Sequence, residues 1–254
     1  MSGVREVTLA VGSAPEVELS LPSGTARVLP SEDGAVAVTV RGRNADDFHV
    51  EQSGDRVMLR PIRSGLRWDR YDVTVRVPHG TRLEARVAAA DVEVQATLSA
   101  LQAEFASGDL VAGGVTGDVT ARSASGDLRL GTVAGRLDAT TASGDVEVAT
   151  VERDASVRTA SGDVRLGTAR NRVHVRTASG DVAIRDFCGD QLSCATMSGD
   201  ILVGLPPGRT LDVDLHTLSG SIRNDFDVAG NGGGEARLEL RSVSGTIRLE
   251  PRRG

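Results

Sequence analysis

The phrase Ser-Gly-Asp returns at Ser107, Ser125, Ser143, Ser161 and Ser179, each 18 residues after the last, and again at Ser198 after 19. Ser219-Gly220-Ser221 and Ser244-Gly245-Thr246 follow after 21 and 25 residues, and Ala89-Ala90-Asp91 stands 18 before the first. Nine phased repeats therefore occupy residues 89–254. A repeat this short cannot bury an apolar face by itself, so it must stack on its neighbours. That one requirement excludes most globular folds.

Within each repeat the apolar residues alternate with polar ones. Just after each aspartate, or the residue in its place, comes Val92, Leu110, Leu128, Val146, Val164, Val182, Ile201, Ile222 or Ile247, with a second aliphatic column two positions on. Glu93, Arg129, Glu147, Arg165 and Arg248 lie between the columns, which is the period of two that a strand with one buried face needs. A half-step at Thr116-Gly117-Asp118, Ala134-Gly135-Arg136 and Cys188-Gly189-Asp190 divides the repeat into two short strands and two turns. The chain is thus expected to be all-β: a parallel β-solenoid of about 18 residues per coil, with each Ser-Gly-Asp glycine at a corner of positive φ. A thin aliphatic interior also accounts for a chain of 254 residues with only four Phe, one Trp and one Tyr.

Residues 1–88 carry no such phase. Their alternating segments (36–40, 56–59 and 71–77), broken by Gly, Pro and Asn/Asp turns, predict an N-terminal antiparallel β cap, with the solenoid over 89–254 and irregular coils at its C-terminal end. All 29 basic residues are arginine, which removes Schiff-base and P-loop lysine chemistry. The net charge of −6 resides entirely in residues 89–254, where 17 Arg face 23 acids. Such a balance disfavours nucleic acid. No run of 18 apolar residues occurs, and Met1–Val7 shows no basic segment followed by an apolar one. A cytoplasmic location is expected, with peripheral envelope association as the variant.

Val75-Arg76-Val77-Pro78-His79-Gly80, followed by the tandem Thr-Ala-Ser-Gly-Asp-Val units that begin at Thr141, Thr159 and Thr177, resembles the bacterial "putative adhesin" family of β-strand-repeat domains of unknown function. The resemblance covers nearly the whole chain. It implies a β-solenoid with no known catalytic activity, and some relatives are associated with envelope-stress systems; no cofactor is expected. The functional expectation is a non-enzymatic scaffold that presents its faces to a protein partner or self-assembles. The alternatives are an envelope-associated adhesin or stress sensor contacting anionic surfaces and, more distantly, a polysaccharide-acting β-helix enzyme. The last lacks aromatic sugar platforms, since the repeat offers only Phe105, Phe187 and Phe226, and the four histidines are scattered.

Three groups of residues are candidates for binding. An outward column of Arg122, Arg158 and Arg176 could meet a protein partner, or simply solubilise the face. A hairpin loop with Arg63, Leu66, Arg67, Trp68 and Arg70 concentrates the scarce aromatics among arginines, as an anionic surface would require. The turn aspartates, Asp109, Asp127, Asp145, Asp163 and Asp181 among them, stack at about 4.8 Å, where neighbouring carboxylates repel by roughly 1 to 3.5 kcal/mol depending on the local dielectric. Backbone N–H groups or serine hydroxyls at each turn can offset that, whereas a calcium ladder is the sharper alternative. Cys188 and Cys194 are expected to be reduced thiols without a metal role.

Overall fold

In a computed structural model of the chain, residues 3–62, 70–226 and 235–252 are described here. The chain divides into two compact units, Met1–Gly131 and Thr132–Gly254, taken in turn.

The first unit contains β1 (Gly3–Ala10), β2 (Glu16–Pro30), β3 (Ala35–Gly42), β4 (Phe48–Ser53), β5 (Arg56–Pro61), β6 (Tyr71–Val77), β7 (Arg82–Val94), β8 (Ala100–Ser107), β9 (Leu110–Val115), β10 (Val119–Ser125) and β11 (Leu128–Val133). Antiparallel pairs join β1 to β3, β3 to β6, and β4 to β5. Parallel stacking, however, begins well before residue 89. β2 pairs in parallel with β5, β6 and β7, and its Ser23-Gly24-Thr25 is in register with Ala89-Ala90-Asp91. Val17, Leu19, Leu21, Ala26 and Val28 supply the alternation that admits β2 to the stack, and all are buried. Gly24 sits at φ 125°, as the solenoid corners do. From β7 onward the stack is regular, β7 on β8 and β9, then β8 on β10.

The second unit contains β12 (Leu137–Ser143), β13 (Val146–Val151), β14 (Ala155–Ser161), β15 (Val164–Ala169), β16 (Val173–Ser179), β17 (Val182–Phe187), β18 (Gln191–Ser198), β19 (Ile201–Leu205), β20 (Leu211–Ser219), β21 (Ile222–Asn224), β22 (Ala236–Ser244) and β23 (Ile247–Pro251). They form two parallel ladders. One runs β12, β14, β16, β18, β22, β20 and the other β13, β15, β17, β19, β23, β21. The final two coils are thus out of chain order, with 236–251 lying between 191–205 and 211–224. Burial gives the reason. Ala236, Leu238, Leu240, Ile247 and Leu249 form complete buried columns, whereas Val213 and Leu215 are half-buried and Ile222 is exposed. The inward columns of β20 and β22 are equally aliphatic, and the coils differ at the second ladder, where Asn224 of β21 stands in register with Leu249 of β23, so the coil that carries Leu249 takes the place covered on both sides.

Each corner glycine is held there by close packing as well as by φ. Gly162 has φ 145°, and a Cβ added to it would stand 2.1 Å from the carbonyl oxygen of Gly144. No side chain fits that gap. Among the described residues no helix is long and apolar enough to cross a membrane.

Candidate interaction face

The turn aspartates are satisfied between coils. In the first unit the N–H of Asp109 donates to Asp91 Oδ1 (3.0 Å) and that of Asp127 to Asp109 Oδ1 (2.9 Å). In the second, Asp163, Asp181 and Asp200 donate in the same way to Asp145, Asp163 and Asp181 (2.9, 2.9 and 2.8 Å), and the N–H of Thr246 donates to Asp200 (2.7 Å). Each carboxylate therefore accepts from the next coil, because the register of 18 brings that N–H alongside. Arginines take the remaining charge: Arg129 bridges Asp127 (2.7 Å) and Asp109 (3.6 Å), and Arg165 bridges Asp163 (2.5 Å) and Asp145 (3.1 Å). The Asp145 hydrogen bond is the main reason the Arg165 guanidinium is held above its ordinary pKa. Among the described residues no three His, Cys, Asp or Glu side chains converge on a point, so the ladder offers a cation single carboxylates in a row and no cage.

The outward surface of the first ladder in the second unit is different in character. Three rows run across its strands. Asp138, Ser156, His174, Ser193, Glu239 and Asp214 form one, in register from strand to strand. Thr140, Arg158, Arg176, Ala195, Arg241 and His216 form the next. One residue before the registered serines comes a row of small and apolar groups, Ala142, Ala160, Ala178, Met197, Val243 and Leu218. Met197 is 61% exposed, Val243 46% and Leu218 77%.

Acidic neighbours answer the ends of the basic row. Arg158 meets Asp138 at 3.8 Å, and Arg241 meets Glu239 at 2.6 Å and Asp214 at 3.6 Å. Arg176, in the middle and exposed, has no ion-pair partner among the described residues. The adjacent His174 is held below its ordinary pKa, first by burial and then by the charges of Arg176 and Arg158, with Glu239 opposing. The centre of this face is accordingly electropositive with a neutral imidazole beside it. Toward the strand starts, Arg136, Asp154, Ser156, Arg172, His174 and Ser193 help line a groove of ≈ 370 Å³, in which Asp154 lies 3.9 Å from Arg136 and 3.8 Å from Arg172. Ser156 Oγ is buried without a hydrogen-bond partner, so no serine–histidine couple exists despite the registered neighbours.

Of the residues singled out in the sequence, Arg158 and Arg176 are brought together directly. Arg122 belongs to the first unit, where it is registered with Glu104 and pairs with it at 3.7 Å. Arg70 is exposed just ahead of β6, while Arg63, Leu66, Arg67 and Trp68 lie outside the described residues. Arg241 and His216 are additions to the basic row. Their signal was present, since each stands three residues before a corner serine as Arg122, Arg158 and Arg176 do.

Parallel coils stacked in register, with outward rows of repeated chemistry, define a β-solenoid repeat protein. The chain belongs to the family described as Toastrack DUF4097, whose model matches residues 15–250. Among curated proteins none matches the chain. Similar solved structures include a "putative adhesin" from Bacteroides fragilis NCTC 9343, 12% identical with a TM-score of 0.40, covering 98% of this chain and 97% of that one. A "putative lipid binding protein" from Parabacteroides distasonis ATCC 8503 is 14% identical with a TM-score of 0.49, over 98% and 96% of the two chains. A "putative adhesin" from the same organism is 13% identical with a TM-score of 0.46, over 98% and 97%.

Proposed function

We propose that the protein is a non-enzymatic interaction module that engages an acidic protein partner through the arginine row of the second unit. The observation that carries this reading is Arg176. It is an exposed guanidinium without an ion pair among the described residues, flanked in register by Arg158 and beside an exposed row ending in Met197, Val243 and Leu218. Arginine with adjoining apolar surface is the composition that recurs at energetically important contacts, because the planar fork pairs with carboxylates while its stem packs on apolar groups. Rows repeated at strand spacing suit an extended partner whose carboxylates recur at a similar interval.

Affinity capture from the native host, using the full chain and its Arg158→Glu/Arg176→Glu variant, tests this. A protein retained by the wild type and by Arg165→Ser, but lost with the double variant, supports the reading. Equal retention by all three overturns it. Binding of the wild type to anionic phospholipid vesicles, with no protein retained, moves the function to a lipid surface and also overturns it.

A further inference from the structure

In the regular coils a corner carboxylate has a fixed set of neighbours. Asp163 accepts from the corner N–H of the next coil, at Asp181, and pairs with Arg165 two residues on in its own coil. Asp145 accepts from the Asp163 N–H and pairs with the same Arg165, which for it belongs to the next coil. Arg129 stands between Asp127 and Asp109 in the same way. In the last two coils of the stack the corner residue changes and the arginine does not. Thr246 and Ser221 take the aspartate position, while Arg248 and Arg223 keep the place two residues on, in register with each other and, through Leu202 and Ala183, with Arg165. Carried over to position 246, the geometry brings three donors together: Arg248 from the same coil, and Arg223 and the Ser221 N–H from the next. Thr246 itself offers only a hydroxyl, which accepts from Ser221 Oγ at 3.4 Å. Its N–H still donates to Asp200 at 2.7 Å, so the corner keeps its form.

Among the described residues the Ser221 N–H has no acceptor, and neither Arg223 nor Arg248 has an ion-pair partner, Asp225 and Glu250 two residues further along included. Guanidinium groups stay charged, and two like charges directly across a ladder oppose each other. We propose that this corner binds a carboxylate supplied by another molecule, seated over Thr246 between Arg248, Arg223 and the Ser221 N–H. The inference goes beyond the proposed function and does not rest on it, because Arg158 and Arg176 belong to the other ladder. The chain itself argues for a carboxylate. Where the same places are held by Arg165 and a corner N–H, what they hold is the carboxylate of Asp145 or Asp163. Asp200, one coil away, is at the spacing that the aspartates already keep along the ladder, and paired arginines offset that repulsion here as they do there.

Titration of the isotope-labelled full chain with sodium acetate, against sodium chloride at equal ionic strength, tests the site by NMR. The Ser221 amide and the side-chain N–H signals of Arg223 and Arg248 should shift saturably with acetate and not with chloride. Arg223→Gln and Arg248→Gln should each raise the half-saturation concentration by about tenfold or more, while Arg237→Gln, an exposed arginine on the other ladder, leaves it unchanged. Thr246→Asp places the carboxylate within the chain, so it should raise the melting temperature and abolish the acetate response. The peptide acetyl-Gly-Asp-Gly-amide, titrated in parallel, separates the sources. Tighter binding of the peptide assigns the carboxylate to an aspartate of a partner chain, tighter binding of acetate to a free carboxylic acid, and both outcomes support the site. The absence of a saturable shift with either probe overturns the inference. So does an acetate response that survives Thr246→Asp, or a response to inorganic phosphate alone.

Discussion

A single Cβ decides the solenoid corner. At Gly162 it would lie 2.1 Å from a backbone carbonyl of the preceding coil, and no rotamer relieves a clash made by Cβ itself. Gly162→Val should therefore cost at least about 3 kcal/mol, against about 1 kcal/mol or less for Arg165→Val nearby, whose ion pairs are half-exposed. Thermal melts that give equal losses would contradict the corner assignment. At one position of three successive coils, the hydroxyls of Thr141, Thr159 and Thr177 are buried without hydrogen-bond partners, whereas Thr196 Oγ1 donates to the Gly180 carbonyl at 3.3 Å. Thr159→Val should thus be neutral or stabilising by up to about 1 kcal/mol, and Thr196→Val destabilising, in paired urea titrations. Glu18 offers a pH test. Hydrogen bonding from Arg56 (2.8 Å) lowers its pKa, burial opposes this, and the charges of Arg56 and Arg86 lower it further. A carboxylate with a lowered folded pKa contributes stability above its ordinary range and loses it as pH falls through the folded value. Glu18→Gln should accordingly cost about 1 kcal/mol at neutral pH, with the difference from wild type shrinking as the pH falls below the ordinary glutamate value of about 4.3 and through the lower folded one. A gap that persists at low pH would show that the loss is one of packing. The residue-scale reading from sequence was good for the corners because glycine at a fixed phase has one physical meaning. For the aspartates it found the right kind of partner, backbone N–H, but placed it within each turn; the donor belongs to the next coil, which only the stacked register reveals.

At the scale of the elements, strand existence was legible wherever apolar residues alternated, from Val36–Val40 and Tyr71–Val77 to every coil after residue 89. β2 escaped because its corner, Ser23-Gly24-Thr25, is separated from the next by β3 to β6 and so has no phase to betray it. The same phrase, Ser-Gly-Thr, closes the series at Ser244, which was the available clue. The order of the last two coils could not be read at all. Parallel ladders aligned on corner serines accept either order, and the one aliphatic difference that favours 236–251 for the inner place is Leu249 against Asn224. Engineered cysteines test that order. Ser193→Cys with Glu239→Cys joins registered neighbours and should oxidise to a disulfide, whereas Ser193→Cys with Asp214→Cys should not, because β22 stands between them. A disulfide in the second pair alone would restore sequential stacking. The native thiols need little masking: Cys194 is fully buried with its pKa pushed up by desolvation, and Cys188 is raised by burial and then by Asp186.

Across the whole molecule, composition, fold and family point the same way. The chain lacks lysine, is poor in aromatics and places most of its acids in the repeat, where the corner aspartates are spent on joining coils. The face proposed to act on another molecule is the outward one whose basic row is centred on Arg176. Part of it was legible as an arginine column. Arg241 and His216 carried the same spacing to a corner serine, and only their places in the row depended on coil order, while the exposed Met197, Val243 and Leu218 depended on knowing which side of each strand faces out. Photocrosslinking places a partner on this face directly. With p-benzoylphenylalanine at Ala195, between Arg176 and Arg241 in the basic row, or at Ala183 on the other ladder, exposure in the native host should yield a protein adduct from position 195 and none from 183. Adducts from 183 alone, or equally from both, would contradict the assignment of the arginine face as the site of interaction.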